Sequence, residues 1–432
     1  MSQPIEEVKQ APQQSVSFLR RTFQAFHFRD FRLMWIGACT SQVGTQIQTA
    51  AQSWTVLQLS HNSFYLGVDQ FLGQIPVAVL ALLAGVLADR RDRRRVLLGS
   101  QYTQLACAFI MAALAFTGVL KVWQIWCLSF VVGTAQAFGS PSYSALIPTL
   151  VPKEHLPNAI ALNSAAFNTA RVVGPAIAGA LVAAVGESWC FVLNAISYLF
   201  VIAMLLRMDL PRRLATPADR STTLREGIRY ARATGPIRNL LLLLGVTCGL
   251  GFQYMILLPV YADHILKSGP KAYGLMVAAF GLGSLGSAVV MTRRLDRWAL
   301  RRNLLIGLGV SGVSMAVFAW SRALPLTLAM GLGAGFGLIL YVASTNVMLQ
   351  LTTEDRFRGR VMSLYTFMFV GTAPLGSLLA GWVAQKSGAP IATTVCAGIL
   401  LCGAGWVMWR LRVLAEREAA DVSTDGLAEK LG

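Results

Sequence analysis

The chain has 432 residues, of which 55% are hydrophobic and 13% charged, with a formal net charge of +17. A soluble domain usually carries about 25% charged residues, so this composition excludes an ordinary water-soluble globule. The positive charge is large enough to raise nucleic-acid binding, but the basic residues cluster between apolar blocks instead of forming one patch, which excludes that class.

A spanning helix needs roughly 20 mostly apolar residues at about 1.5 Å of rise each. Blocks of that length are predicted at 32–58, 63–87, 96–119, 122–145, 159–185, 188–207, 239–265, 272–292, 303–320, 324–350, 361–385 and 390–411. Counted alternately on the two sides of a membrane, 31 of the 37 Lys and Arg residues fall on one side. Five fall on the other, and one, Arg171, lies inside a block. The positive-inside rule then places both termini in the cytoplasm. The first 30 residues are polar and lack the apolar core of a cleaved signal peptide, so the first span itself is expected to direct insertion.

In the first span Gln42, Gln46, Thr49 and Ser53 recur at helical spacing and form one polar face. Asp69 lies inside the second span, roughly 9 Å from its outer end by helical rise. In the fourth span Gln136, Ser140 and Tyr143 make a similar stripe. The fifth carries Arg171, followed by Gly174 and Pro175. Charges at a helix centre cost about 2.5–3.5 kcal/mol each on insertion scales, so Asp69 and Arg171 are functional candidates by default. A carboxylate in a partly dry cavity can exchange a proton or a cation. The alternative for Asp69 is a structural polar contact. Arg171 does not release a proton; it either binds an anionic group or holds a neighbouring helix.

A hydrophilic stretch follows at 208–238, with Pro211, Pro217 and many basic residues. Within it, 223–233 reads as a short amphipathic helix lying on the membrane surface. Six predicted spans lie on each side. The seventh contains Gln253 and Tyr254, and the tenth Tyr341, Thr345 and Asn346. Glycines crowd the eighth and tenth spans, where close packing is their ordinary meaning. Residues 151–186 and 352–388 look alike: each has a charged loop, then a span with a mid-span proline, Pro175 or Pro374, and then Gly186 or Gly388. These prolines favour bends at matched places. Two similar six-helix halves, at 1–207 and 239–432, are a known design for secondary transporters, with the substrate between them.

The segment from Gly85 to Val96 reads GVLADRRDRRRV. It resembles the signature of the major facilitator superfamily between its second and third helices: Gly85, Asp89, Arg90, Arg93 and Arg94 match, whereas Asp92 stands where the family usually has Gly. The wording of residues 158–175, with an Arg before Gly-Pro, resembles the branch of bacterial enterobactin exporters and multidrug efflux pumps. The resemblance implies an all-α membrane protein of twelve transmembrane helices in two halves. In the family, the signature locks the cytoplasmic gate, and spans one, four, seven and ten surround the cavity. The polar residues of those spans are therefore cavity candidates, with helix-to-helix hydrogen bonding as the alternative. Ser129 takes the place where proton antiporters of the superfamily often carry an Arg, a departure from the usual coupling device. Asp296 and Arg297 are a degraded counterpart of the signature in the second half.

The expected function is export of a small amphipathic organic molecule, such as a drug-like compound or siderophore, across the bacterial inner membrane by a monomer. Coupling to an ion gradient, of protons or another ion, is expected, because the chain has no GxxxxGK[ST] phosphate loop. Uptake or facilitated diffusion on the same fold and a non-transporting sensor are the rivals. No catalytic constellation, CxxC or HExxH is present, so neither an enzyme nor a metal or other cofactor is expected.

Overall fold

The computed structural model describes residues 24–90, 92–208, 224–291 and 296–431, with side chains except at 81–90, 224, 297 and 411–431. Every regular element among these residues is helical. The long helices are α1 (Arg29–Ser60), α2 (Ser63–Arg90), α3 (Arg93–Phe116), α4 (Val122–Leu150), α5 (Leu156–Val185) and α6 (Glu187–Leu206). A short α7 (Leu224–Ala233) follows, then α8 (Gly235–Ile265), α9 (Gly269–Met291), α10 (Arg297–Trp320), α11 (Leu324–Thr352), α12 (Asp355–Ser387) and α13 (Ala389–Leu431). Each predicted apolar block overlaps one of these long helices; 96–119 runs past the end of α3 at Phe116 and 188–207 past the end of α6 at Leu206, and the last residue of 272–292 lies outside the described residues.

Among the described residues, nine helices are long and apolar enough to cross a membrane. The other three long ones, α1, α2 and α4, carry the polar residues of the main cavity, such as Gln52, Asp69 and Gln136. Polarity inside a spanning helix is tolerated where it faces protein or water.

Helix α1 packs on α5 and α6, and α4 packs on α2 and α3, giving a first bundle. Helices α9 and α10 pack on α11, and α13 on α10 and α12, giving a second. The bundles meet through α2 against α12 and α5 against α9. Small residues permit both crossings. A Cβ on Gly67 would lie 2.5 Å from the Ser377 carbonyl oxygen, and one on Gly274 would lie 2.4 Å from that of Pro175. No larger residue fits such a backbone approach without displacing a helix.

Aspartates start two related helices. Asp92 caps α3 by accepting from the Arg94 backbone N–H (3.0 Å), and Asp296 caps α10 by accepting from that of Ala299 (2.6 Å). Such caps satisfy helix-end donors that have no partner within the helix. Asp92, the departure from the family signature, therefore has a local structural role.

The backbone around the two prolines expected to mark matched bends, Pro175 and Pro374, differs in helix type. Pro175 lies inside the uninterrupted helix α5. Pro374 is the second residue of the regular helix that begins at Ala373, after a π-helical turn at Phe367–Gly371 within α12. It has no N–H to offer the turn before it, and a wider turn relieves that loss. Helix α8 is also irregular, with π-helical turns at Thr247–Gly251 and Tyr261–Ile265.

The amphipathic helix α7 is present, but it docks on protein. Its Gly227 and Ala231 are buried, and Tyr230 stacks on Phe357 of α12 with ring centroids 4.2 Å apart.

Candidate functional site

The main cavity has a volume of about 930 Å³. Helices α1, α2 and α4 form one wall, and the first part of α12 with Ile228 of α7 forms another. Away from the linker, the bundles close over it. Gln58 Nε2 donates to Asp263 Oδ2 (3.1 Å), the Ser63 N–H donates to Gln385 Oε1 (3.0 Å), and Ser377 Oγ donates to the Gly67 carbonyl (3.2 Å). Trp54 stacks on Tyr273 at the same seam.

Asp69 sits in the first wall and is 7% exposed. Ser129 Oγ donates to its Oδ1 (2.6 Å), and Gln52 Nε2 donates to its Oδ2 (2.7 Å). The same Gln52 nitrogen lies 2.9 Å from Ser129 Oγ, so three helices meet at one carboxylate. A carboxylate has about four lone-pair positions, so the two donors leave acceptor capacity for a further cation or proton. Ser129 occupies the position read as a missing Arg; here it is a ligand of the acid.

The remaining candidates divide between the bundles. Thr49, Ser53 and Gln136 line the main cavity. Gln42 and Tyr143 line a smaller adjoining cavity of about 120 Å³, which shares Gln136 with the main one. Tyr143 donates to Asn163 Oδ1. Gln46 lines neither cavity; its Cβ packs where Gly174 leaves room.

Of the second-half candidates, Gln253, Tyr254, Tyr341 and Thr345 are buried inside their own bundle and Asn346 is half-buried. Gln253 donates to the Cys248 carbonyl (2.9 Å), and Tyr254 packs edge-on against Phe318. Tyr341 accepts from Thr247 Oγ1 (3.0 Å), and Thr345 donates to the Tyr341 carbonyl (2.9 Å). Asn346 accepts from Gln350 (2.6 Å). None of these five lines the main cavity among the described residues. The expected cavity of spans one, four, seven and ten is here a cavity of α1, α2 and α4 against α12.

Arg171 is half-buried on α5, with its Cζ 5.8 Å from the Phe167 ring, and it lies outside the lining of both cavities. Arg93 donates to the Ala145 carbonyl (3.1 Å). Arg94 donates to the Leu205 and Leu206 carbonyls (2.8 and 3.0 Å), tying α3 to the C-terminal end of α6. The side chains of Gly85, Asp89 and Arg90, which complete the signature, lie outside the described residues.

Residues missed from the sequence are Gln48, Gln52, Gln70 and Gln74, all on the first wall. The signal was available: Gln48 and Gln52 are one turn apart, and Gln70 and Gln74 follow Asp69 at the same spacing.

A pair of apolar helix bundles around a polar-walled cavity is the architecture of a membrane transporter. The chain belongs to the family described as transmembrane secretion effector, whose model matches residues 21–431, within the major facilitator superfamily. It is 24% identical over 357 residues to the staphyloferrin A transporter of Staphylococcus aureus, covering 82% of this chain and 87% of that one. It is 27% identical to the multidrug efflux pump Tap of Mycolicibacterium fortuitum, covering 82% and 89%. It is 26% identical to an enterobactin exporter of Escherichia coli, covering 86% and 90%. Among solved structures, a POT family transporter in complex with 5-aminolevulinic acid superposes with a TM-score of 0.71 at 10% identity, covering 88% of this chain and 95% of that one. The nucleoside transporter NupG superposes at 0.67 with 15% identity, covering 88% and 98%. These two likenesses establish the fold alone.

Proposed function

We propose that the protein exports a small amphipathic organic molecule across the bacterial inner membrane by alternating access, coupled to proton antiport. The observation that carries this reading is the cavity between the bundles, with the buried carboxylate of Asp69 in its wall. Twelve spans in two six-helix halves, 1–207 and 239–432, joined by the linker 208–238, form the working monomer, and both termini are cytoplasmic. Substrate enters from the linker side, where Ile228 forms part of the cavity wall. The halves then rock, the seam near Gln58 and Asp263 parts, and substrate leaves on the far side. Asp69 takes a proton from outside and delivers it inside, while Gln52 and Ser129 hold the carboxylate in place between the two states. The signature residues Gly85, Asp89, Arg90, Arg93 and Arg94 brace the cytoplasmic gate. The three curated relatives support export, because their names are those of a siderophore transporter, a drug efflux pump and a siderophore exporter.

The test is accumulation in inverted membrane vesicles with an imposed pH gradient, across cationic dyes, neutral antibiotics and siderophores. Gradient-dependent accumulation that is lost in Asp69→Asn at normal expression is the expected result. Accumulation indifferent to the gradient would remove proton antiport.

A further inference from the structure

The two walls of the main cavity differ in chemistry. The first bundle contributes the carboxylate of Asp69 and the amides of Gln52, Gln70, Gln74 and Gln136, among apolar side chains such as Met111, Leu128 and Val132. The second contributes Leu364, Phe367 and Val370 of α12, with Phe367 51% exposed, beside the hydroxyls of Ser363 and Thr366, and α7 adds Ile228. Among the described lining residues, Asp69 is the only charged side chain, and no Lys, Arg or His is present. Arg171, the other charge predicted inside a span, lies outside this lining.

From this asymmetry we infer that the cavity takes monocationic amphiphiles, holding the positive head against Asp69 and the apolar body against α12, and rejects anions of the same size. The inference rests on the transport reading above and narrows its substrate class. The volume of about 930 Å³ lies at the upper end of the pockets of about 300–1,000 Å³ that enclose drug-sized molecules. A cation entering this space loses water and gains a carboxylate with unused lone pairs. Neutral amides around it accept from the rest of a polar head. An anion there meets a like charge and, among the described lining residues, no compensating cation, and such a juxtaposition suppresses the wrong partner. On the opposite wall, removal of apolar area from water favours any ligand with a hydrophobic body, whatever its charge. Among the described lining residues, the group that selects charge thus lies on the first bundle alone. A multiply charged carboxylate siderophore does not suit this wall.

Three four-phenyl probes of closely similar shape test the inference: tetraphenylphosphonium (cationic), tetraphenylsilane (neutral) and tetraphenylborate (anionic). Binding to the purified full chain in detergent is measured by equilibrium dialysis, with protein-free micelles on the other side to correct for partition. Tetraphenylphosphonium should bind at least about tenfold more tightly than tetraphenylborate, the effect of one desolvated charge pairing, with the neutral probe between them. In Asp69→Asn the ratio should collapse to within about twofold. In Phe367→Ala all three should weaken while the ratio persists. Equal or tighter binding of the borate overturns the inference. So does a ratio that survives in Asp69→Asn, or the absence of saturable binding by wild-type protein that still melts cooperatively. Binding needs no gradient, so cation-selective binding without flux would defeat the export reading alone. Gradient-driven flux without cation preference would defeat this inference alone.

Discussion

Asp69 accepts from residues that lie 17 and 60 positions away in the chain, Gln52 and Ser129. A hydrogen bond to a charged group contributes about 1.5–3 kcal/mol, and a buried acceptor stripped of its donor costs a comparable amount. Ser129→Ala should therefore destabilise the wild type by about 1–3 kcal/mol and should be nearly neutral once Asp69→Leu has removed the acceptor. The check is a double-mutant cycle by chemical unfolding in mixed micelles; a coupling energy near zero would show that the triad does not hold the acid. Asp69 was legible in the sequence because a carboxylate inside an apolar block costs free energy and is not placed there without compensation. Its partners were not. Ser129 was read for the Arg it replaces, and Gln52 lies off the polar stripe of Gln42, Gln46 and Thr49. Hydropathy marks which residues are exceptional in a membrane, but pairing across 60 positions depends on how the helices rotate against one another.

Helix boundaries followed from the length and apolarity of the blocks, whereas helix irregularity did not. Pro175 and Pro374 occupy similar sequence settings, but only the second follows a π-helical turn. The difference lies in the neighbours. The start of the regular helix at Ala373 brings Gly376 against Gly249, in the π-helical turn of α8, so both irregular segments serve one crossing. A Cβ on Gly376 would fall 1.5 Å from the Gly249 carbonyl oxygen, while one on Gly309 of α10 would meet nothing within 4 Å. Gly376→Ala should accordingly lower stability by about 1–3 kcal/mol or more, the usual cost of overpacking. Gly309→Ala should be neutral or stabilising by about 0.5–1 kcal/mol, since glycine is the poorer helix former. Melting temperatures of the two variants in the same detergent decide this. Equal effects would mean that the α8–α12 crossing has slack to absorb a methyl group.

The two-bundle plan was foreshadowed by the likeness of residues 151–186 to 352–388, but the bundles are not chemical equivalents. The first has a polar interior: Asn194 donates to Gln48 (2.7 Å) and Tyr198 donates to Gln104 (3.1 Å). The second is filled by Tyr254, Tyr261, Phe280 and Phe318. Helix spacing alone does not distinguish a tyrosine in a cavity wall from one in an aromatic core, and Tyr254 and Tyr341 are buried in the second bundle. If the bundles rock as rigid bodies, the contacts between them at the end remote from the linker must break in every cycle. Gln58 and Asp263 are in contact across that seam, and Gln58 is exposed. None of the seven cysteines is paired, so a cysteine-free background involves no disulfide loss. In that background, Gln58→Cys with Asp263→Cys should be joined by a short bifunctional methanethiosulfonate. Flux in inverted vesicles should then fall to the level of protein-free vesicles and return on reduction, while either single variant treated alike should keep its flux. Tetraphenylphosphonium binding should persist in the cross-linked protein, because the linker side of the cavity is untouched. Continued flux through the cross-linked protein would show that substrate crosses without parting this seam, and rigid-body rocking would have to be abandoned.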